Sequence, residues 1–385
     1  MNADERRCAL ALSRMGYHNI TVLRELYNAW GSMADIVKQH AHPEQLAPNM
    51  PERLLAAFAH TDEHLKRADE EMRFAQDNNI SIITLADEAY PQRLKACFDA
   101  PLALFFKGNA NLNAKHCISI VGTRKATPYA ADCIAQLTAR LKQLCPDILI
   151  VSGLAYGVDI MAHRQAIDHA LPTVAVLAHG LDTLYPSRHR KEATLMMQNG
   201  GLLTEYFSQS KIDKRNFLQR NRIVAGMSAA TLLVESAEHG GGLVTCRLAQ
   251  SYQHDVFAFP GSINNPYSVG CNRLIRDNVA GLVTSAEDIL KAMAWEEDMK
   301  ETAATNAAST MGSSVLGAMS ASTAKVPNGA QGVLDVLTKE NDLHIDIIAT
   351  RAGLPVNKVL ALLFQLEMSG MVSSLSGGRY HKVNS

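Results

Sequence analysis

The first part of the chain has apolar positions at a helical period. Residues 4 to about 80 give several short amphipathic helices, and strand-like alternation first occurs at 80–85. Turn residues separate the helical stretches: Gly16, Gly31, Pro43, Pro48 and Pro51. The pattern predicts a small helical domain over residues 1–80.

The pattern changes after residue 115, where short apolar runs begin to alternate with helical stretches. These runs lie at 116–121, 148–152, 173–178, 202–204, 231–235, 256–259 and 282–284. Alternating strands and helices are typical of a mostly parallel sheet with helices on both faces. We therefore predict an α/β fold with a doubly wound sheet over residues 81–297.

The last part of the chain begins with a stretch of low complexity. Residues 298–330 are mostly Ala, Ser, Thr, Gly and Met without periodicity, which predicts a flexible linker. Helical patterns follow at 333–339, 345–352 and 356–370, and a Gly377-Gly378 turn divides 371–382. Three helices followed by a hairpin predict a winged helix over 331–385.

The overall charge is close to neutral. The 385 residues include 37 basic and 38 acidic ones, a formal net charge of −1, so a site for a polyanion has to be local. One segment, 187–222, is strongly basic, although such clusters are often only solvated surface. Its basic residues are Arg188, Arg190, Lys191, Lys211, Lys214, Arg215, Arg220 and Arg222, against Glu192, Glu205 and Asp213.

The sequence lacks the signatures of several classes of protein. Apolar runs fall far short of the roughly 20 residues that span a bilayer, and no signal-peptide pattern follows the charged N-terminus, so we expect a cytoplasmic protein without membrane contact. The seven cysteines include no C-x-x-C pair, which favours reduced thiols and no metal. The phosphate loop, the dinucleotide G-x-G-x-x-G and the zinc H-E-x-x-H are absent, so we expect neither cofactor nor metal.

Glycine-rich loops follow four of the predicted strands. They are Gly122-Thr123-Arg124, Ser152-Gly153, 240–242 with Gly241, and 260–262. Glycine lets backbone N–H groups approach an anion closely, and a following helix adds its positive dipole end, although turn geometry alone also selects glycine. Together these loops predict an anion site at the carboxyl ends of the strands.

Two further features suit a nucleic acid. Arg124 follows a strand directly and can contact phosphate in bidentate fashion, or pair with a carboxylate. Residues 215–222 interleave basic residues with one ring, Phe217, a combination used for single strands, although Phe217 can equally belong to the core. Asp159 and His163 are four residues apart but lack a third ligand, which favours a cap or a local hydrogen bond over a metal.

A set of motifs in order resembles the DNA-processing protein A (DprA/Smf) family. The motifs are Tyr90-Pro91 with Leu94, 120–124, 152–155 through Asp159 and His163, 180–182 with Tyr185-Pro186, 220–223 with Ala225-Gly226, and Pro260-Gly261. The resemblance implies an extended Rossmann-like domain between a helical domain similar to sterile-alpha-motif or helix-hairpin-helix modules and a winged helix. It also implies single-stranded DNA binding in a basic pocket, dimerisation through the Rossmann-like domain, and loading of the RecA recombinase during natural transformation.

The resemblance also implies site residues. The DNA-contacting arginine falls on Arg124, the glycine-rich turn on Ser152-Gly153, and a basic tract on Arg188, Arg190 and Lys191. An F-x-x-R-N-R element falls on Phe217, Arg220, Asn221 and Arg222, preceded by Lys214, Arg215 and Asn216; Gly122, Thr123 and Gly241 complete the predicted site. The sequence departs from the family pattern at Tyr156, at His179 and at 278–280. Tyr156 either removes a charge or adds a stacking ring.

Two other functions stay open at the level of the sequence. A nucleotide-processing hydrolase on a similar fold needs a catalytic carboxylate; Glu205 and Glu235 end strands but lie outside the P-G-G-x-G-T-x-x-E pattern. A duplex-DNA regulator needs a recognition helix, and the third helix of the winged helix offers few polar residues: Asn357, Lys358, Gln365 and Glu367. We expect a non-catalytic DNA-binding protein.

Overall fold

The computed structural model of the chain describes residues 3–17, 19–47, 50–296, 329–375 and 377–383. It divides into two compact units, one up to Met299 and one from Lys300. The linker predicted at 298–330 lies, except for its last two residues, outside the described residues.

The first unit begins with five helices. They are α1 (Ala3–Met15), α2 (Ile20–Trp30), α3 (Met33–Lys38), α4 (Glu52–Phe58) and α5 (Thr61–Asp77). Their apolar side chains share one continuous cluster with a face of the sheet that follows. The carboxylate of Glu71 strengthens this contact, because it pairs with Arg67 at 2.7 Å and accepts hydrogen bonds from the Ser208 backbone and hydroxyl. The domain boundary at residue 80 stays a prediction.

A nine-stranded sheet forms the centre of the first unit. Its strands are β1 (Ser81–Thr84), β2 (Ala103–Gly108), β3 (Cys117–Val121), β4 (Leu149–Ser152), β5 (Thr173–Val176), β6 (Gly200–Thr204), β7 (Ala230–Leu233), β8 (Asp255–Ala258) and β9 (Gly281–Leu282). They lie in the order β1-β2-β6-β5-β4-β3-β7-β8-β9. All pairings are parallel except β1 with β2 and β2 with β6.

Helices cover the two faces of this sheet, because alternate strand residues are apolar on both sides. Ile118 and Ile120 of β3 face one cluster, whereas Cys117 and Val121 face the other. The helices are α6 (Gln92–Ala96), α7 (Pro128–Leu144), α8 (Val158–Asp168), α9 (Arg190–Met196), α10 (Lys214–Met227), α11 (Gly241–Ser251), α12 (Val269–Arg276) and α13 (Ala286–Ala292). The predicted doubly wound α/β fold is confirmed; strand β2 was missed.

The second unit has three helices and a small sheet. Its elements are α14 (Gln331–Lys339), β10 (Leu343–His344), α15 (Ile345–Ala352), α16 (Val356–Met368), β11 (Val372–Leu375) and β12 (Arg379–Lys382). Strand β12 pairs with β11 and with β10, and the apolar side chains form a core of their own. The predicted winged helix is confirmed, with the short strand β10 in addition.

Within the described residues, no single helix is long and apolar enough to cross a membrane. Helices α15 and α16 together have the length and composition of a span, but they meet at 106°. Val359 and Leu363 of α16 are fully buried in the small core of this unit.

Candidate nucleic-acid interface

The order of the strands reverses beside β3. The chain runs from β3 through β4 and β5 to β6 on one side and continues with β7, β8 and β9 on the other. Helices that leave this point lie on opposite faces, so a crevice opens at the carboxyl ends of the strands. A cavity of about 280 Å³ lies there, lined by the loops that follow β3, β4 and β7 and by α10 and α11.

Hydrogen bonds to Glu235 fix the loop after β3. A side chain at Gly122 would place its Cβ 2.8 Å from the Glu235 carbonyl oxygen, so only glycine fits there. The backbone N–H of Thr123 donates to that carbonyl at 2.8 Å, and the Glu235 carboxylate accepts from the N–H and hydroxyl of Thr127 at 2.9 and 2.7 Å. The strand-ending carboxylate of Glu235 is thus a buried acceptor that holds the loop in place.

Arg220 forms the floor of the cavity. The residue is 3 % exposed, and its guanidinium donates to the carbonyl oxygens of Gly153, at 2.6 Å, and of Val176. A Cβ at Gly153 would lie 2.1 Å from Nη1 of Arg220, so a larger residue would displace this arginine. Burial raises the pKa of Asp159, and the nearby charge of Arg220 opposes that shift. Arg220 is therefore an interior cation that shapes the cavity from within.

One wall of the cavity is the N-terminus of α11. Gly240 precedes the helix in an extended conformation and provides no side-chain cap, so the first N–H groups keep their hydrogen-bonding capacity. A Cβ at Gly241 would meet only Nδ2 of Asn221, at 3.8 Å, so the cavity is open above this glycine. Free N–H groups at the positive end of a helix dipole favour an anion here.

A cation and a ring lie together at the mouth of the cavity. Cζ of Arg124 lies 5.5 Å from the centroid of the Phe217 ring. Arg124 is exposed and has no carboxylate within ion-pair distance among the described residues. Phe217 is partly buried and packs edge-to-face against Tyr185, with centroids 5.6 Å apart. The mouth thus combines a guanidinium that has no carboxylate partner among the described residues with a partly exposed aromatic ring.

The cavity brings together half of the residues predicted from the sequence. Those that line it are Gly122, Thr123, Arg124, Gly153, Phe217, Arg220, Asn221 and Gly241. On α10 the lining positions are 217, 218, 220, 221 and 224, which lie on one side of the helix, so that this side borders the cavity. Leu218 and His239 also line it and were missed; the position of His239 before a glycine-rich loop was the available signal.

Three predicted residues lie outside the cavity and have partners in the interior. The Ser152 hydroxyl is fully buried and donates to the Ile120 carbonyl at 2.7 Å. The Asn216 side chain accepts from the Tyr17 hydroxyl at 3.2 Å in a different cavity. Arg222 forms a buried ion pair with Glu205, and burial raises the pKa of that carboxyl while Arg222 opposes the rise.

The remaining predicted cations are exposed and do not line the cavity: Arg188, Arg190, Lys191, Lys214 and Arg215. They have no ion-pair partner among the described residues. Their charge is therefore available to an anion that extends beyond the cavity.

His179 and the pair of Asp159 and His163 have local partners. His179 is buried; Nδ1 lies 2.9 Å from the Gly180 carbonyl and Nε2 accepts from the backbone N–H of Tyr185 at 3.1 Å. Nδ1 of His163 lies 2.8 Å from the Thr173 hydroxyl, and burial lowers the His163 pKa to about 3. Asp159 accepts weakly from the Ala155 N–H at 3.4 Å. No group of three or more His, Cys, Asp or Glu among the described residues is arranged to hold a metal.

Comparison with known proteins extends over most of the chain. Residues 81–294 match the sequence profile of DNA recombination-mediator protein A, and 317–378 match that of the DprA winged helix domain. The chain is 36 % identical over 207 residues to the DNA processing protein DprA of Streptococcus pneumoniae, which covers 54 % of this chain and 72 % of that protein. It is 32 % identical over 320 residues to the protein Smf of Escherichia coli, covering 81 % and 80 %.

Solved structures agree with this result. The X-ray structure of DprA from S. pneumoniae covers 73 % of this chain and 95 % of its own, with a TM-score of 0.62 and 29 % identity. A DprA structure from Helicobacter pylori covers 56 % and 96 %, with a TM-score of 0.51 and 29 % identity. The chain is therefore a member of the DNA recombination-mediator protein A family.

Proposed function

We propose that this chain binds single-stranded DNA at the cavity beside β3 and acts as a non-catalytic recombination mediator. The observation that carries the proposal is the pairing of Arg124 with Phe217 at the cavity mouth, 5.5 Å apart. A guanidinium without a carboxylate partner suits a phosphate, and an accessible ring suits a base that is not stacked in a duplex.

The size of the cavity favours the end of a single strand, or a bent single strand, as its ligand and not a double helix. A cavity of about 280 Å³ set among three loops is too small to admit a double helix. Backbone N–H groups at the start of α11 provide the anion with neutral donors in addition to Arg124. The relative from H. pylori is described by its single-stranded DNA binding mode, which supports the same ligand here.

The later steps of the proposal rest on membership of the family. A protein that holds incoming single strands, protects them and loads the RecA recombinase onto them during natural transformation fits the description of a recombination mediator. We also propose that it acts as a homodimer through the α/β domain. Light scattering of the full chain tests the dimer, and RecA filament formation on strands coated with a single-strand binding protein tests the loading step.

A nucleotide hydrolase is less well supported, because both carboxylates that end strands already have partners. Glu235 accepts from two groups of Thr127, and Glu205 pairs with Arg222. A duplex-DNA regulator is also less well supported, since Lys358 is the only basic residue of α16.

A gel-shift experiment tests the proposal. Single strands and a duplex of the same sequence should be compared over a series of salt concentrations. We expect tighter binding to single strands, weak sequence preference, and an affinity that falls with salt at a log–log slope of about −0.7 per phosphate contacted. Equal or tighter binding to the duplex would favour the regulator, and an affinity independent of salt would contradict a phosphate site.

A further inference from the structure

Two exposed tyrosines lie next to the cavity without forming part of its lining. Tyr185 is 44 % exposed and packs against Phe217, and Tyr156 is 39 % exposed and packs edge-to-face against His189 at 5.1 Å between centroids. Neither tyrosine hydroxyl forms a hydrogen bond with any described residue. The two rings are therefore held by packing alone and keep part of their surface accessible.

Backbone and histidine hydrogen bonds fix the two segments that carry these tyrosines. The backbone N–H of Tyr185 donates to His179, and Nδ1 of His189 lies 2.9 Å from the carbonyl of Leu154, two residues before Tyr156. The corner 185–189 is thus fixed to the loop after β4, whose Ala155 lines the cavity. Two ring pairs therefore lie beside the cavity: Tyr185 with Phe217 at its mouth, and Tyr156 with His189, four residues further along the same corner.

This corner also carries unneutralised positive charge. Arg188, Arg190 and Lys191 are exposed and lack ion-pair partners among the described residues. The neighbouring carboxylate, Glu192, pairs with Arg164 at 2.7 Å and therefore does not neutralise them. Accessible rings beside unpaired cations are what a single strand requires, because bases stack on the rings while the cations follow the backbone.

We infer that Tyr156, together with Tyr185, is a second stacking site, on which the single strand continues after it leaves the cavity. The ligand is a nucleotide of the same strand, held by its base on a tyrosine ring and by its phosphate near residues 188–191. This inference rests on the proposed function and adds to it a path beyond the cavity. It also gives Tyr156, where the chain departs from its family, the role of an added ring.

The inference predicts an effect that depends on the length of the strand. Affinities should be measured by fluorescence anisotropy for oligonucleotides of about 4 and about 15 nucleotides, which bracket the sites of single-strand binding domains. Tyr156→Ala should weaken binding of the long strand by about 5-fold or more, as for loss of one stacked base, and leave the short strand unaffected. Tyr156→Phe should bind like the parent, because the ring is what stacks.

Phe98→Ala is the matched control. Phe98 is 55 % exposed and packs at a tilt against Tyr252, 5.5 Å away, but lies outside the cavity lining and the corner. It should bind both oligonucleotides like the parent. Photo-cross-linking with 5-iodouracil at single positions provides an independent measurement, and we expect Tyr156 in the cross-linked peptide for positions outside the cavity.

The outcomes separate this inference from the proposed function. If the parent chain binds single strands and Phe217→Ala weakens both lengths, but Tyr156→Ala binds the long strand unchanged, the second stacking site is wrong and the proposed function stands. An equal loss for both lengths would also overturn it, since Tyr156 would then act on the cavity itself. Absence of single-strand binding by the folded parent would overturn the proposed function.

Discussion

Helices α10 and α16 are the two candidates for contact with DNA, and their exposed faces differ in kind. One face of α10 lines a cavity, at which Arg124, without a carboxylate partner among the described residues, lies over the ring of Phe217. On α16 the exposed large apolar side chains form one row with a spacing of four residues: Val356, Leu360, Phe364 and Met368, between 44 % and 76 % exposed. The neighbouring exposed row has Asn357, Ala361 and Gln365 and no charge.

The difference between the two helices shows that a winged-helix fold does not by itself imply DNA binding. Affinity for nucleic acids comes largely from neutralising phosphates, and α16 has only Lys358 with which to do so. The fold of the α/β unit is not in itself typical of DNA binding. This unit nevertheless has the exposed cations, the N–H donors at the start of α11 and the Phe217 ring. Charge and exposure, not the type of domain, therefore decide where we expect single strands to bind.

The largest expected effect concerns an arginine of α10 that faces away from the cavity. Arg222→Ala leaves the Glu205 carboxylate buried without its partner and should lower the free energy of unfolding by about 3–5 kcal/mol. Since burial already raises the pKa of Glu205, the loss should shrink as the pH is lowered and the carboxyl becomes neutral. Chemical denaturation at several pH values measures this.

Arg140→Ala is the control for that prediction. It removes an exposed pair with Glu287, both side chains being nearly half exposed, and should cost roughly 0–1 kcal/mol. If Arg222→Ala is as stable as this control and instead binds DNA more weakly, Arg222 belongs to the binding site, as the resemblance to the family implies.

Phe217→Ala should weaken single-strand binding by about 1–3 kcal/mol without changing the salt dependence, because stacking involves no counterion. Titration at several salt concentrations measures both quantities. Phe217→Tyr keeps the ring and should bind normally. Should Phe217→Ala instead lose about 3–5 kcal/mol of stability, its ring is part of the core, and a stable variant with unchanged affinity would leave the cavity purely electrostatic.

Arg124→Ala should weaken binding by about 1 kcal/mol, as for an exposed charge contact, and make the log–log salt slope shallower by about 0.7. The same titrations measure the slope. Arg124→Lys keeps the charge but not the planar fork, so it should restore the slope and only part of the affinity. An unchanged slope for the folded Arg124→Ala protein would rule out its contact with phosphate.

Removal of the second unit should have little effect on single-strand binding. A chain ending at about residue 298 retains the cavity and both tyrosines, so at most a modest loss of affinity is expected. Circular dichroism checks that the shortened protein is folded. A folded but non-binding protein would move the main site to the winged helix.

The smallest effect is expected on α16. Phe364→Ala, at a residue that is 61 % exposed, should change single-strand affinity and stability by no more than ~0.5 kcal/mol each. Leu363→Ala on the buried side of the same helix should lower stability by about 2–5 kcal/mol. A large loss of DNA affinity with Phe364→Ala would reverse the comparison between the two helices.

Much of the fold follows from local pattern. The seven apolar runs after residue 115 all correspond to strands, and the three terminal helices lie within two residues of their predicted bounds. Strand β2 was missed even though Phe105 and Phe106 gave an aromatic signal for it. This strand lies between β1 and β6 and is antiparallel to both. Its partner β6 is distant in the chain, so the local sequence does not specify this position.

The sequence by itself determined that glycine loops follow strands, that residues 187–222 are basic, and that the chain resembles one family, because each of these properties is local. Only the tertiary structure decided that β3 lies between β4 and β7, which brings Gly122, Gly153 and Gly241 to one cavity. It also decided where the charges lie: Arg220 and Arg222 are in the interior, whereas Arg124 is exposed, lies over Phe217 and has no carboxylate partner among the described residues. A charge is neutralised by whichever group packs beside it, and in a doubly wound sheet those groups are distant in the chain.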